Sequence, residues 1–403
     1  LTKHTPSSFA SQLPWILFLT SLFLINFLAR VLFSPLLPTI EKELEIGHAA
    51  AGSLFMYLSS GYFVALLGSS FLSARLPHRL VLAGSAIGTG IVLLLGAASQ
   101  DLDSLRLTAL MLGLTCGLYL PSAIDILTDM VEDKHWGKAL AIHELAPNLA
   151  FTLAPLIVAV MLPHFSWRIV LMTPGIFSIA CGLLFLIFGS GGHFRGQIPQ
   201  LENCRALVTS PAFWIMVFLF TLGIASTMGL FNMLPAYLVS HFGMAHNSAN
   251  TLVSLSRGLT VFTVFLGGWA TDRIGANRTL IIVLGITGSL TIALGMVPRS
   301  TLTLAKTLVF LQPILAVSFF PAGFTILAKI APADSRNIAV AMTVSVAFLI
   351  GGGVVPYAIG LCGDTGHFGF GISMVGLFVA SGTIVTPFLN FAQKHEHITS
   401  KPS

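Results

Sequence analysis

Twelve runs of about 20 or more mainly apolar residues recur along this chain, and they restrict it to one kind of solvent. They cover roughly 14–40, 48–74, 79–99, 104–130, 137–162 and 166–190, then 211–240, 247–270, 278–298, 302–330, 336–362 and 367–391. A helix of that length, rising about 1.5 Å per residue, crosses the ~30 Å hydrocarbon core of a bilayer. Only 9% of the 403 residues are Asp, Glu, Lys or Arg, and the mean hydropathy is +0.89. Soluble domains carry about 25% charged residues. This chain cannot coat a globule with polar surface, so the sequence predicts an all-α integral membrane protein of twelve spanning helices.

The segment 191–210, "GGHFRGQIPQLENCRALVTS", is the long polar stretch between runs. It divides the chain into an N-terminal six-helix bundle (1–190), a linker with a short amphipathic surface helix (191–210) and a C-terminal six-helix bundle (211–403). With the N-terminus placed in the cytoplasm, the cytoplasmic loops and tails hold thirteen Lys and Arg and the outer loops five. That asymmetry puts both termini in the cytoplasm and, for a bacterial-type chain, the protein in the inner (plasma) membrane. The net charge of +5 is scattered through short loops as topology signals, so no nucleic-acid partner is expected. The polar stretch before the first run lacks a small-residue cleavage site and reads as a tail, not a cleaved signal peptide. The four cysteines, Cys116, Cys181, Cys204 and Cys362, have no metal-ligating spacing and suggest no disulfide framework.

The two halves match each other. "LPSAIDILTDMVEDKHWGKALAI" (120–142) lies over "FPAGFTILAKIAPADSRNIAVAM" (320–342), with Pro121 meeting Pro321 and Ala139 and Ala141 meeting Ala339 and Ala341. Two six-helix bundles in the same orientation imply a pseudo-two-fold axis along the membrane normal and a site near the midplane between them. "GGWATDRIGANR" (267–278) resembles the loop signature of the major facilitator superfamily, Gly-x-x-x-Asp-Arg-x-Gly-x-Arg. In the first-half copy, "SARLPHR" (73–79), Ala74 stands where the aspartate belongs. The resemblance implies alternating access by rocking of the bundles, with Asp272, Arg273, Arg278, Arg336 and Asp129 in the conformational gate.

Two markers of that superfamily's multidrug antiporters are altered: Ala109 occupies the fourth-helix arginine slot, and "NLAFTLAPLI" keeps Pro155 but lacks the glycines. "ARVLFSPLLPTIEKEL" and "AIHELAPNLAFTLAP" are instead similar to the organic-anion branches, namely anion:cation symporters, organophosphate porters and cyanate-type porters, with Glu144 matching a glutamate there. Ala29, Ala109 and Cys116 depart from the charged residues common in the symporters.

Two basic residues fall deep inside runs and not near their ends. Arg30 and Arg257 each lie about ten residues from the outer end of their run, ~15 Å below the outer boundary. An arginine at that depth costs roughly 2.5–3.5 kcal/mol on insertion scales and does not deprotonate. The functional reading is a clamp in which both guanidiniums hold one small anion, one from each half. The structural alternative is that each pairs with a carbonyl or an acid and fixes packing. Asn26, one turn before Arg30, is a second donor on the same face. Tyr57, Tyr119, Tyr357 and Gln312 are further candidate donors, with a polar group satisfied inside the core as the equal alternative for each, while Tyr62 and Tyr237 read as interface anchors.

Glu144 and His143 are the candidates for proton coupling, because a carboxyl in a low-dielectric site loads a proton more easily. Their side chains leave the helix about 100° apart. Asp125 is a third acid, for coupling or gating. No catalytic, metal or cofactor constellation is found: "HEL" at 143–145 lacks the second histidine, and "GSGG" and "GGG" precede no Gly-Lys-Ser. The sequence therefore predicts a monomeric secondary transporter of a small organic anion, working by H⁺ symport, and not an enzyme. The rivals are a cation or drug:proton antiporter built on Asp125 and Glu144, and a non-transporting membrane receptor.

Overall fold

A computed structural model describes residues 9–196, 205, 207–330 and 336–389. All regular structure among them is helical. Twelve helices are long and apolar enough to cross a membrane: α1 Phe9–Leu44, α2 His48–Arg75, α3 His78–Ala97, α4 Leu102–Met130, α5 Trp136–Met161, α6 Trp167–Phe188, α7 Pro211–Phe242, α8 His246–Ile274, α9 Ala276–Met296, α10 Leu302–Ile330, α11 Ile338–Asp364 and α12 Phe368–Val385. Each expected run is one of these helices. The first extends past its apolar stretch to Leu44, since Glu41, Lys42 and Glu43 sustain a helix as readily as apolar residues do. It stops at Glu45, whose φ of 52° is left-handed.

Several of these helices are interrupted, and proline explains most of the breaks. Pro35, Pro121, Pro147 and Pro321 each lack the N–H that would bond the residue four before them. The helix yields there at Leu32 in α1, Leu118 in α4, Glu144 in α5 and Val317–Ser318 in α10. The breaks at Leu118 and Val317 stand at matching places in the two halves, as the internal repeat requires. Helices α7 and α11 instead carry π-helical turns at Ala225–Gly229 and Phe348–Val354.

Helices α1–α6 and α7–α12 form two bundles, packed internally through small residues that let backbones approach. A Cβ added to Gly113 of α4 would collide with the Leu58 carbonyl and sit 2.6 Å from the Tyr62 nitrogen of α2. Residues 191–196 fold back on the first bundle: the His78 N–H donates to the Phe194 carbonyl (3.1 Å) and the Gly196 N–H to the Ser73 carbonyl (2.9 Å). Most of the expected surface helix, with Cys204, lies outside the described residues.

The bundles touch at mid-depth, where Ser254 Oγ donates to the Thr152 carbonyl (2.7 Å), and are tied together at one end. At the end away from the termini, Ser34 Oγ donates to the Phe231 carbonyl (2.8 Å), and the Pro35 carbonyl accepts from Asn250 Nδ2 (3.2 Å) and pairs with His246 Nε2 (2.7 Å). The Asp364 carboxylate accepts the His48 and Ala49 N–H groups at the start of α2, at 2.6 and 3.0 Å. These donors have no partner within their own helix. Toward the termini, Asp129, Asp272, Arg273 and Arg278 are exposed, and no hydrogen bond or ion pair crosses between bundles among the described residues. The molecule is therefore closed at the Asp364 end and open at the Asp272 end.

Charge-assisted bonds to helix N–H groups are about twice as strong as neutral ones, so Asp364→Ala should loosen the closed end. In a variant lacking the native cysteines, a cysteine replacing the buried Ser34 should react with maleimide several-fold faster once Asp364 is removed. An unchanged rate would deny Asp364 this role.

Candidate anion-binding site

Both intramembrane arginines sit where a helix breaks. Arg30 is in the last turn of the helical segment Phe9–Val31, and Arg257 in the last turn of His246–Gly258. The partial negative charge of a helix C-terminus favours a cation by about 0.3–1 kcal/mol, more when buried. Pro35 sets the first break. The π-helical turn of α7 displaces the Thr227 carbonyl from the regular helical ladder, and Arg257 Nη2 donates to it at 2.6 Å.

Aromatic rings surround the two guanidiniums. Arg30 Cζ lies 4.3 Å from the Phe27 and Tyr62 ring centres and 4.7 Å from Phe348. Arg257 Cζ lies 5.0 Å from Phe151 and 4.9 Å from Phe231. Phe27 and Phe151 meet edge to face at 5.2 Å, so rings connect one cation to the other. Laid end to end, the gaps of 4.3, 5.2 and 5.0 Å bound the separation of the guanidinium carbons below about 15 Å. At that distance and an effective dielectric near 20, their repulsion is about 1 kcal/mol.

Rings and helix ends offset the cost of burying charge, with each cation–π contact contributing roughly 0.5–2 kcal/mol. They do not satisfy the guanidinium hydrogens. Arg30 is 1% exposed and Arg257 2%. Arg30 Nε and Nη2 and Arg257 Nε have no hydrogen-bond partner. Neither arginine forms an ion pair among the described residues. The alternative of pairing with an acid is thus absent there, and the carbonyl alternative holds for one nitrogen of Arg257.

The other expected site residues divide. Asn26 is buried one turn from Arg30, with Nδ2 3.4 Å from the Cys116 carbonyl and Oδ1 without a partner. Tyr119 faces the other way, donating to the Leu19 carbonyl at 2.6 Å. The Gln312 amide is engaged by the Ser226 carbonyl (2.8 Å) and Thr291 Oγ1 (3.3 Å) inside the second bundle. The Tyr57 ring lies 5.8 Å from Arg106 Cζ, near the closed end. Tyr357 is half-buried on α11 where that helix crosses α2 at Gly52.

His143 is fully buried, stacked on Phe23 at 4.4 Å, with Nε2 3.3 Å from the Tyr119 hydroxyl. The break at Glu144 brings the Glu144 carboxylate to 3.9 Å from His143 Nδ1 despite their divergent directions on an ideal helix. Glu144 itself is more than half exposed, on the open side. Asp125 pairs with His78 Nε2 at 3.4 Å within the first bundle. The side chain of Arg336 lies outside the described residues.

Two tyrosines differ from expectation. Tyr62 is not an interface anchor but a buried wall of the Arg30 site. Tyr237 is fully buried, donating to the Leu294 carbonyl at 3.0 Å. The rings of Phe27, Phe151, Phe231 and Phe348 were hidden among 31 phenylalanines. Only Phe27 carried a signal, three residues from Arg30 on one helix face.

The sequence pattern described as Major Facilitator Superfamily matches residues 19–356, and the chain belongs to that superfamily. It is 22% identical over 392 residues to the "Probable L-galactonate transporter" of Escherichia coli (strain K12), covering 91% of this chain and 86% of that one. It is 22% identical over 397 residues to the "Membrane sensor protein UhpC" of the same organism, covering 90% and 89%. Its fold is similar to that of a bacterial homolog of the human lysosomal transporter Spinster, with a TM-score of 0.80 at 16% identity over 96% of this chain and 98% of that one.

Proposed function

We propose that this protein is a secondary active transporter that moves a small organic anion by alternating access, holding it between Arg30 and Arg257. The observation that carries this is the pair of buried guanidiniums with unmatched N–H groups and no acid beside them. A carboxylate would supply both the missing charge and the missing acceptors. One arginine comes from each bundle, so a shared anion would bias how the bundles sit. The similarity to a galactonate transporter supports an organic carboxylate.

The excess of Lys and Arg in the loops at the terminus end supports an inner-membrane protein with cytoplasmic termini and an inward-open arrangement here. Coupling to H⁺ symport is assigned to Glu144 and His143: the carboxylate meets the open side, and the imidazole links it to Tyr119 and Phe23 beneath the site. Asp125, Asp129, Asp272, Arg273, Arg278 and Arg336 act as gate residues toward the cytoplasm, and the monomer is the working unit. The similarity to a membrane sensor favours a second reading, in which the same site binds an anion without transporting it. Counterflow in proteoliposomes separates the two, since a sensor gives none.

Arg30→Gln and Arg257→Gln should each abolish uptake of carboxylates that the wild type accumulates, with insertion and yield preserved. Normal uptake by both variants would refute the clamp. Glu144→Gln should retain anion exchange while losing accumulation driven by a proton gradient. Full gradient-driven accumulation by this variant would remove Glu144 from the coupling path.

A further inference from the structure

From the composition of the walls around the two arginines, we infer that the anion is an aromatic carboxylate, a flat aryl body bearing one carboxylate and at most one or two hydroxyls, and not a polyhydroxylated sugar acid. This rests on the two-arginine reading of the site.

The walls are rings from five helices and both bundles. Phe27 of α1, Tyr62 of α2, Phe151 of α5, Phe231 of α7 and Phe348 of α11 all lie within 5.0 Å of a guanidinium carbon. They also touch one another: Phe27 on Phe151 at 66°, Phe151 on Phe231 at 80°, and Tyr62 on Phe348 at 5.1 Å. Edge-to-face rings of this kind exchange partners readily. An aryl group entering between Phe27 and Phe151 replaces one ring contact with two of the same type.

Polar capacity is scarce by comparison. The Thr227, Ser256 and Thr260 hydroxyls are spent on the Gly223, Val253 and Arg257 carbonyls. On the helices that carry the arginines and rings, with His135 at the start of α5 included, the unmatched buried atoms are Arg30 Nε and Nη2, Arg257 Nε, the amide oxygens of Asn26, Asn232 and Asn250, His143 Nδ1, His241 Nδ1 and Nε2, His135 Nδ1 and Thr343 Oγ1; Asn26, Asn232 and Thr343 share a helix with Phe27, Phe231 and Phe348. Three cationic donors suit one carboxylate. The Asn26 and Asn232 amide oxygens suit one or two hydroxyls; Asn26 lies one helical turn, about 6 Å, from Arg30 along α1. A sugar acid with five hydroxyls would leave several of them facing ring carbons without a partner. Each such group weakens binding roughly five- to hundredfold.

Equilibrium binding of radiolabelled benzoate and of radiolabelled gluconate to the purified full chain in lipid nanodiscs tests the inference. Benzoate should bind at least about tenfold more tightly than gluconate. Cyclohexanecarboxylate, of similar size but without a π face, should compete less well than benzoate. Arg30→Gln should abolish benzoate binding. Phe151→Leu, with folding checked by gel filtration, should narrow the preference for benzoate over gluconate roughly three- to tenfold. Tighter binding of gluconate that Arg30→Gln abolishes would overturn the aromatic body and leave the two-arginine site standing. Benzoate binding untouched by both Arg30→Gln and Arg257→Gln would overturn the site itself. No benzoate binding at millimolar concentration would overturn the inference.

Discussion

Everything in the centre of this protein is arranged around two positive charges that have no negative partner among the described residues. In a low-dielectric interior such charges are tolerated only where helix ends, ring faces or a mobile counter-ion neutralise them. The first two are built in. Arg30 and Arg257 each occupy the last turn of a broken helix, and each guanidinium lies against aromatic rings. What remains unmet is hydrogen bonding, because a ring face offers no lone pair. That deficit is what the proposed anion, through its acceptor oxygens, would meet.

The breaks beside the two arginines also divide the spanning helices. Pro35, Pro121, Pro147 and Pro321 divide four of the spanning helices into stiff rods joined by short bends, and the π-helical turns of α7 and α11 soften two more. Within each bundle, glycine-rich crossings such as Gly113 against α2 leave little freedom. Between bundles, the hydrogen bonds gather toward the Asp364 end, and rings such as Phe151 on Phe231 and Tyr62 on Phe348 meet at the centre. Rocking of rigid bundles about their central contacts is the motion such a division of stiffness permits.

Much of this was legible in the sequence, for a physical reason: a bilayer permits helices and little else, so apolar run length gives the helices directly. The intramembrane position of Arg30 and Arg257 followed from counting residues along those runs. Contacts across helices did not follow. Tyr62 read as an anchor because its depth on α2 is unremarkable, yet packing turns its ring onto Arg30. Gln312 read equally as a ligand donor or a satisfied core amide, and its amide bonds Ser226 and Thr291. The approach of Glu144 to His143 depends on the break caused by Pro147, which an ideal helical wheel leaves out. The phenylalanine walls could not be found from sequence, since one ring among 31 has no distinguishing neighbour except at Phe27.

The central claim is that one anion engages both arginines at once, and a double-mutant cycle on binding addresses it most directly. Arg30→Lys and Arg257→Lys keep the charge but lose the two-pronged fork, so affinity stays measurable. With carboxylate affinity determined for the wild type, both single variants and the double variant, a shared anion gives an interaction energy of about 0.5–3 kcal/mol between the two sites. Losses that add, leaving no interaction energy, would mean that the two arginines never hold the same ligand.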